Sequence, residues 1–244
     1  MAFIDRPLVP ALAVALGLFL GGAAIGGGVA RIRTADRGVT VKGVAEREVK
    51  ADLAIWPLRV VAADNDLARA NASLAESVRK VKVFLAANAL DTTQISVQNF
   101  AASDAEANQY RGRDAGGARF VIRQALVLRS TEPQKVLAAS QRVADLVSAG
   151  VVLNSEGEYG GGGPTFLFTK LNDYKPKMIA EATARARESA EQFARDSRSD
   201  LGGIRRANQG VFEILPRDPA PGISQESQVE KTLRVVTTVE YALK

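Results

Sequence analysis

Apolar residues in this chain first run together, then alternate in twos, then recur at steps of three and four. The run is Leu8 to Ala30, which carries no charged side chain and lies between Arg6 and the basic group Arg31, Arg33 and Arg37. A hydrocarbon core of about 30 Å needs roughly 20 helical residues to cross it, so the run predicts a transmembrane anchor over 8–30. A tail over 1–7, a basic linker over 31–38 and a folded region over 39–244 follow from that placement. Val39–Val49 and Leu53–Ala63 read as strands, and Pro57 in the second requires an edge position or a bulge because it has no N–H for a ladder. Leu67, Ala70, Leu74, Val78, Val81 and Leu85 recur at helical spacing behind the capping candidates Asp64, Asn65 and Asp66.

Further along, Ile95–Ala101 and Phe120–Leu128 predict a long β-hairpin whose polar tip is Ser103–Gly117. Thr131-Glu132-Pro133-Gln134 reads as a helix start with Thr131 at the N-cap. Its helix would share a face of Val136, Ser140, Val143 and Val147 and end at Gly150. Val151–Phe168 predicts a strand pair or an interrupted strand, broken at Gly160–Gly163 and Pro164. Asn172–Ser199 predicts a long helix with Ala182, Ala186, Ala190 and Ala194 on one stripe and supporting pairs Glu181–Arg185 and Glu191–Arg195. Gly202 and Gly203 are expected to stop that helix before strands at Ile204–Leu215 and Val229–Leu243. Strands interrupted by helices in this order predict an α+β fold, with antiparallel sheets packed on long helices.

Two features bear on the apolar run itself. Gly28-Val29-Ala30 offers a small-x-small cleavage site, so secretion after signal removal competes with a retained anchor. Gly17 with Gly21, and Gly22 with Gly26, have the small-xxx-small spacing that lets membrane helices pack closely.

Composition narrows the chemistry. A hydrophobic fraction of 46% with 24% charged residues is that of a globular chain, which argues against long disorder. There is no Cys and no His. Disulfides, Cys nucleophiles, Ser-His-Asp triads and His-ligated zinc are therefore excluded. The best enzymatic candidates left are the carboxylate pairs Glu156/Glu158 and Asp104/Glu106, each spaced to share a strand face as a dyad or a cation site would require. Lys42 with Arg47 is a candidate anion-binding pair. Four consecutive glycines at Gly160–Gly163 are not followed by the Gly-Lys-Ser/Thr of a phosphate loop. The net charge of +5 comes without a nucleic-acid-binding motif, and the only tryptophan, Trp56, falls in a predicted strand.

In combination, three segments carry a family resemblance: Val41-Lys42-Gly43-Val44-Ala45-Glu46 with Val49, Ala51 and Asp52; the Arg119–Thr131 strand entering its helix; and Tyr174-Lys175-Pro176 to Phe193 followed by Leu201-Gly202-Gly203-Ile204. Over residues 39–244 the chain resembles the SIMPL-domain family, bacterial envelope proteins that include a periplasmic immunogenic protein and oxidative-stress defence proteins. The resemblance implies an α+β fold, export from the cytoplasm and assembly into ring-like or cage-like homo-oligomers. It supplies no catalytic residue and no cofactor.

The expectation is thus a non-enzymatic, homo-oligomeric envelope protein with a structural or stress-protective role. It would be anchored by one helix in the bacterial inner membrane with its domain in the periplasm. Its partners would be other copies of itself, the lipid bilayer and an unidentified envelope protein, and not nucleic acid. The alternative is a carboxylate-dependent enzyme or cation-binding protein of the envelope. Sheet edges are templates for pairing between chains, so assembly is expected through them and through the hairpin tip, where Tyr110, Arg111, Arg113 and Arg119 cluster.

Overall fold

The computed structural model of the chain describes residues 14–22, 37–107, 117–154 and 163–244. These divide into two compact units. One comprises the described residues of Met1–Ala45 with Pro176–Phe212 and Val235–Lys244; the other comprises Glu46–Lys175 and Glu213–Arg234.

In the unit built on Glu46–Lys175, β2 (Leu53–Asp64), β3 (Ile95–Asp104), β4 (Phe120–Ser130) and β5 (Thr165–Leu167) form an antiparallel sheet in the order β3-β4-β2-β5. Alternation along β2 sends Ala54, Trp56, Leu58 and Val60 to the buried face, where they meet α1 (Leu67–Ala87) through Ala70, Leu74, Val81 and Leu85. The start of α1 is fixed by Asp66, whose carboxylate accepts the Arg69 N–H at 2.9 Å. Phe84 of the same helix meets Trp56 edge-on with ring centroids 6.5 Å apart. At the other end of the sheet, the Asp52 carboxylate accepts both the Thr169 N–H and its hydroxyl at 2.8 and 2.9 Å.

Two short helices, α2 (Pro133–Ser140) and α3 (Ala144–Ser148), replace the single one expected over this stretch. The N-cap is Glu132 and not Thr131, because Pro133 occupies the first helical position that suits its fixed φ; the Ser130 hydroxyl accepts the Glu132 N–H at 3.1 Å. The break between α2 and α3 shifts the helical phase. Leu146 is buried as a result, while Val147 is 61% exposed. This unit also holds β7 (Glu213–Pro216), antiparallel to the first residues of β8 (Glu230–Leu243).

In the other unit, residues of β1 (Gly38–Lys50), β8 and β6 (Leu201–Gln209) form a sheet in the order β1-β8-β6. Against its buried face lies α4 (Leu171–Asp196), whose Met178, Ala182, Ala186, Ala190 and Ala194 are buried as the four-residue spacing predicts. Ala186 and Ala190 join Val39, Val239 and Tyr241 in the core. The helix ends before its expected glycines: Arg198 adopts the left-handed φ of 54°, and Gly202 and Gly203 fall inside β6. The expected strand over 204–215 is likewise divided into β6 and β7. On the outer face of α4, Glu181 pairs with Arg185 at 2.7 Å, whereas Glu191 pairs back to Arg187 at 3.0 Å and not forward to Arg195, which bonds Gln192.

Residues 14–22 are helical, and Val14, Leu16, Leu18, Phe19 and Leu20 are 58–74% exposed. Nine residues of helix span roughly 13 Å, short of a bilayer core. Among the described residues, no helix is long and apolar enough to cross a membrane, so the transmembrane helix expected over 8–30 is not supported there. The remainder of 8–30 lies outside the described residues. Gly17, Gly21 and Gly22 face open space, and Gly26 is not described.

Candidate functional site

Of the four residues expected to form a basic cluster at the hairpin tip, only Arg119 is described; Tyr110, Arg111 and Arg113 lie outside the described residues. Arg119 sits at the hairpin base and is committed to the chain itself. Its guanidinium pairs with Asp104 and with Glu106, each at 3.0 Å, and lies 4.9 Å from the ring centroid of Phe120. Its backbone N–H donates to Asn65 at 3.0 Å, and its carbonyl accepts the Ala105 N–H at 2.7 Å. Two acids of its own hairpin thus hold Arg119.

The same geometry bears on the carboxylate pair Asp104 and Glu106. Both carboxylates share the one guanidinium of Arg119. Arg119, with help from the Glu106 backbone N–H, holds the Asp104 carboxyl below its usual value of 3.8. A depressed carboxyl contributes stability that is present above that usual value and lost as pH falls through the lower folded one. An Arg119→Gln variant should let the Asp104 carboxyl titrate near 3.8, followed by NMR of its side-chain carbon. An unmoved titration would show that the ion pair does not form in solution. Glu156 and Glu158 lie outside the described residues. Lys42 and Arg47, five positions apart, fall on opposite faces of β1, the first exposed and the second half-buried, so they do not form the expected pair.

Pro57 leads to a feature that sequence reasoning did not find. It stands in register opposite Val127 of β4 with no bulge, so the bulge is ruled out and the edge is the answer. Among the described residues, beyond β2 on the side away from β4, β5 covers only Leu53–Ile55, and the next contacts are the Val61 N–H to Val152 and the Asn154 N–H to Arg59. Pro57 shares parity with Arg59 and Val61 and therefore turns its nitrogen to the same side, into the gap between them. A cleft of about 440 Å³ opens at this gap. Its walls include Trp56, Pro57, Val143, Val147, Leu153 and Pro164, with Arg59, Ser140 and Asn154 as its polar members. Trp56 is 1% exposed, and among the described residues its indole Nε1 has no hydrogen-bond partner. A proline beside the only tryptophan in a predicted strand was the available signal, although nothing local told which segments would border the gap.

Comparison with known proteins bears on the whole folded region. The family described as "SIMPL: Protein of unknown function (DUF541)" matches residues 39–241. The chain belongs to the SIMPL family. Its α+β fold with antiparallel sheets agrees with what that resemblance implied. Curated proteins yield no significant match. Among solved structures, the chain is similar to an uncharacterized conserved protein from Listeria innocua at 15% identity, over 78% of this chain and 90% of that one, with a TM-score of 0.16. A likeness that low carries no argument about this SIMPL protein.

Proposed function

We propose that this SIMPL protein is a homo-oligomeric component of the bacterial envelope, assembling into a ring or cage with a structural or stress-protective role and no catalysis of its own. The observation that carries the reading is β3. Among the described residues it is the terminal strand of its sheet, ten residues long, and every residue between its two half-buried ends is exposed, Val97 and Phe100 by 55% and 60%. A long edge strand with apolar side chains in water is a template for pairing with a second chain. The apolar surface of residues 14–22 supports attachment to a bilayer, because such a helix is stabilised by lipid and not by water. Signal cleavage is the rival for that segment; a mature N-terminus at Arg31 in mass spectrometry would establish it.

Light scattering of the purified full-length protein on size exclusion tests the assembly. A discrete large oligomer is expected, and a Val97→Lys variant, which places a charge on the edge, should shift it to smaller species while leaving the circular dichroism unchanged. A monomeric wild type would end the proposal.

A further inference from the structure

Among the described residues, the strands that border the two sheets differ in charge and length. β1 carries Lys42, Glu46, Arg47, Glu48 and Lys50, and β6 carries Arg205 and Arg206 with two register shifts. β5 and β7 have only three and four residues. Charge, irregularity and short length are the devices that keep an edge from pairing. β3 has no charged side chain from Ile95 to Ser103. Laid beside β1 or β6 of another copy, it would bring ionic side chains against its neutral ones and begin to take them out of water. Laid beside a second β3, it meets an edge as neutral as itself.

One stretch of β3 suits such a pairing. The strand bulges between Gln98 and Ala101, where Asn99 takes a left-handed φ of 52°, so Ile95–Gln98 is the straight run before the bulge. Two antiparallel copies of one strand are related by a two-fold axis perpendicular to the sheet, so residues directly opposite come from the same face. The axis then passes beside one residue of the run, which stands opposite its own copy. Ile95 is already packed on the core, and Ser96 and Gln98 are polar and bonded to each other at 3.1 Å. Val97, in register with Leu126 of β4, is 55% exposed. Centring on Val97 buries two valines against each other and sets Ser96 of each copy opposite Gln98 of the other.

From these observations we infer that β3 pairs antiparallel with β3 of a second copy, with Val97 opposite Val97 across a two-fold axis. This rests on the reading that β3 joins copies, and it names the partner as the same strand. Any ring is then built from such pairs through a further surface.

The chain has no cysteine, so a single introduced thiol can link only to its own copy in a second molecule. Cα atoms directly opposite in an antiparallel pair stand about 4.5–5.5 Å apart, a separation that a disulfide spans. Val97→Cys in the purified full-length protein should therefore form a disulfide-linked dimer on mild oxidation, about tenfold or more faster than Ser103→Cys or Val211→Cys. Ser103 lies on the same strand, yet in this register its two copies are about 40 Å apart. Val211 is 84% exposed and lies off β3. Val97→Cys linking no faster than Val211→Cys, or Ser103→Cys linking as fast as Val97→Cys, would overturn the inference. Light scattering of the reduced samples separates this from the assembly proposal. A large oligomer in which Val97→Cys does not link overturns the pairing and leaves the assembly standing. Selective linking in a protein no larger than a dimer supports the pairing and ends the ring.

Discussion

A Gly43→Ala variant is expected to lose about 3 kcal/mol of stability, the upper end of what an added methyl group costs in a packed core. The reason lies in what that methyl group would meet. A Cβ on Gly43 would stand 1.8 Å from the Ala182 carbonyl oxygen and 2.5 Å from the Ala186 nitrogen, both backbone atoms of α4. A side chain can swing aside from such a collision, but a helix backbone cannot, so β1 and α4 must separate. Val39, Ala186, Ala190, Val239 and Tyr241 form the core that this separation would open. In a chain of this size the loss lowers the melting temperature by roughly 6–12 °C. Gly203→Ala is the matched control, since nothing lies within 4 Å of its Cβ position, and it should stay within about 0.5 kcal/mol of wild type. Urea and thermal unfolding followed by circular dichroism compare the two; equal stability would refute the contact.

Gly43 also shows where sequence reasoning stops. The alanine stripe of α4 was legible because small residues at steps of four encode close approach directly, and all four alanines are buried. What would approach them was not legible, since a glycine in a strand motif does not name the helix above it. Errors of the same kind occur wherever a local rule met a competing one. Thr131 satisfies the capping pattern, yet Pro133 sets the helix start one residue later. Val147 continues a face that the break before α3 rotates outward. Glu191 had two arginines within a turn, and their order in the chain did not decide between them. Of the candidate site, Arg119 is described at the hairpin base, and Asp104 and Glu106, which the sequence suggests as a dyad, are its ion-pair partners. The Pro57 edge was legible in kind; the cleft beside it depends on Val143, Val147, Leu153 and Pro164, roughly 90 or more residues away in sequence.

Lys231 is the second position where a single change should have a large effect. It lies on β8 opposite Pro216, and its side chain is fully buried. Its ammonium donates to the backbone carbonyl of Gln225, and the Gln225 side-chain oxygen lies 3.4 Å away, so one residue of the 3-10 turn Gln225–Ser227 holds the charge. Lys231→Ala removes the buried four-carbon stem and leaves those oxygens without a donor, for a loss of about 3 kcal/mol. Lys231→Met keeps the stem and removes the charge, and should lose about 1 kcal/mol at neutral pH. Burial pushes the Lys231 ammonium below its usual value of 10.5, against the smaller opposing pull of the Glu226 carboxylate. A base depressed by folding adds stability that is fully present above the unfolded value and lost as pH falls through the folded one. Methionine does not titrate. The stability of wild type relative to Lys231→Met, measured by urea unfolding, should therefore rise as pH climbs from neutrality towards 10.5. A difference that stays constant across that window would mean that the ammonium reaches water, and that the turn at Gln225 is held by something other than a buried charge.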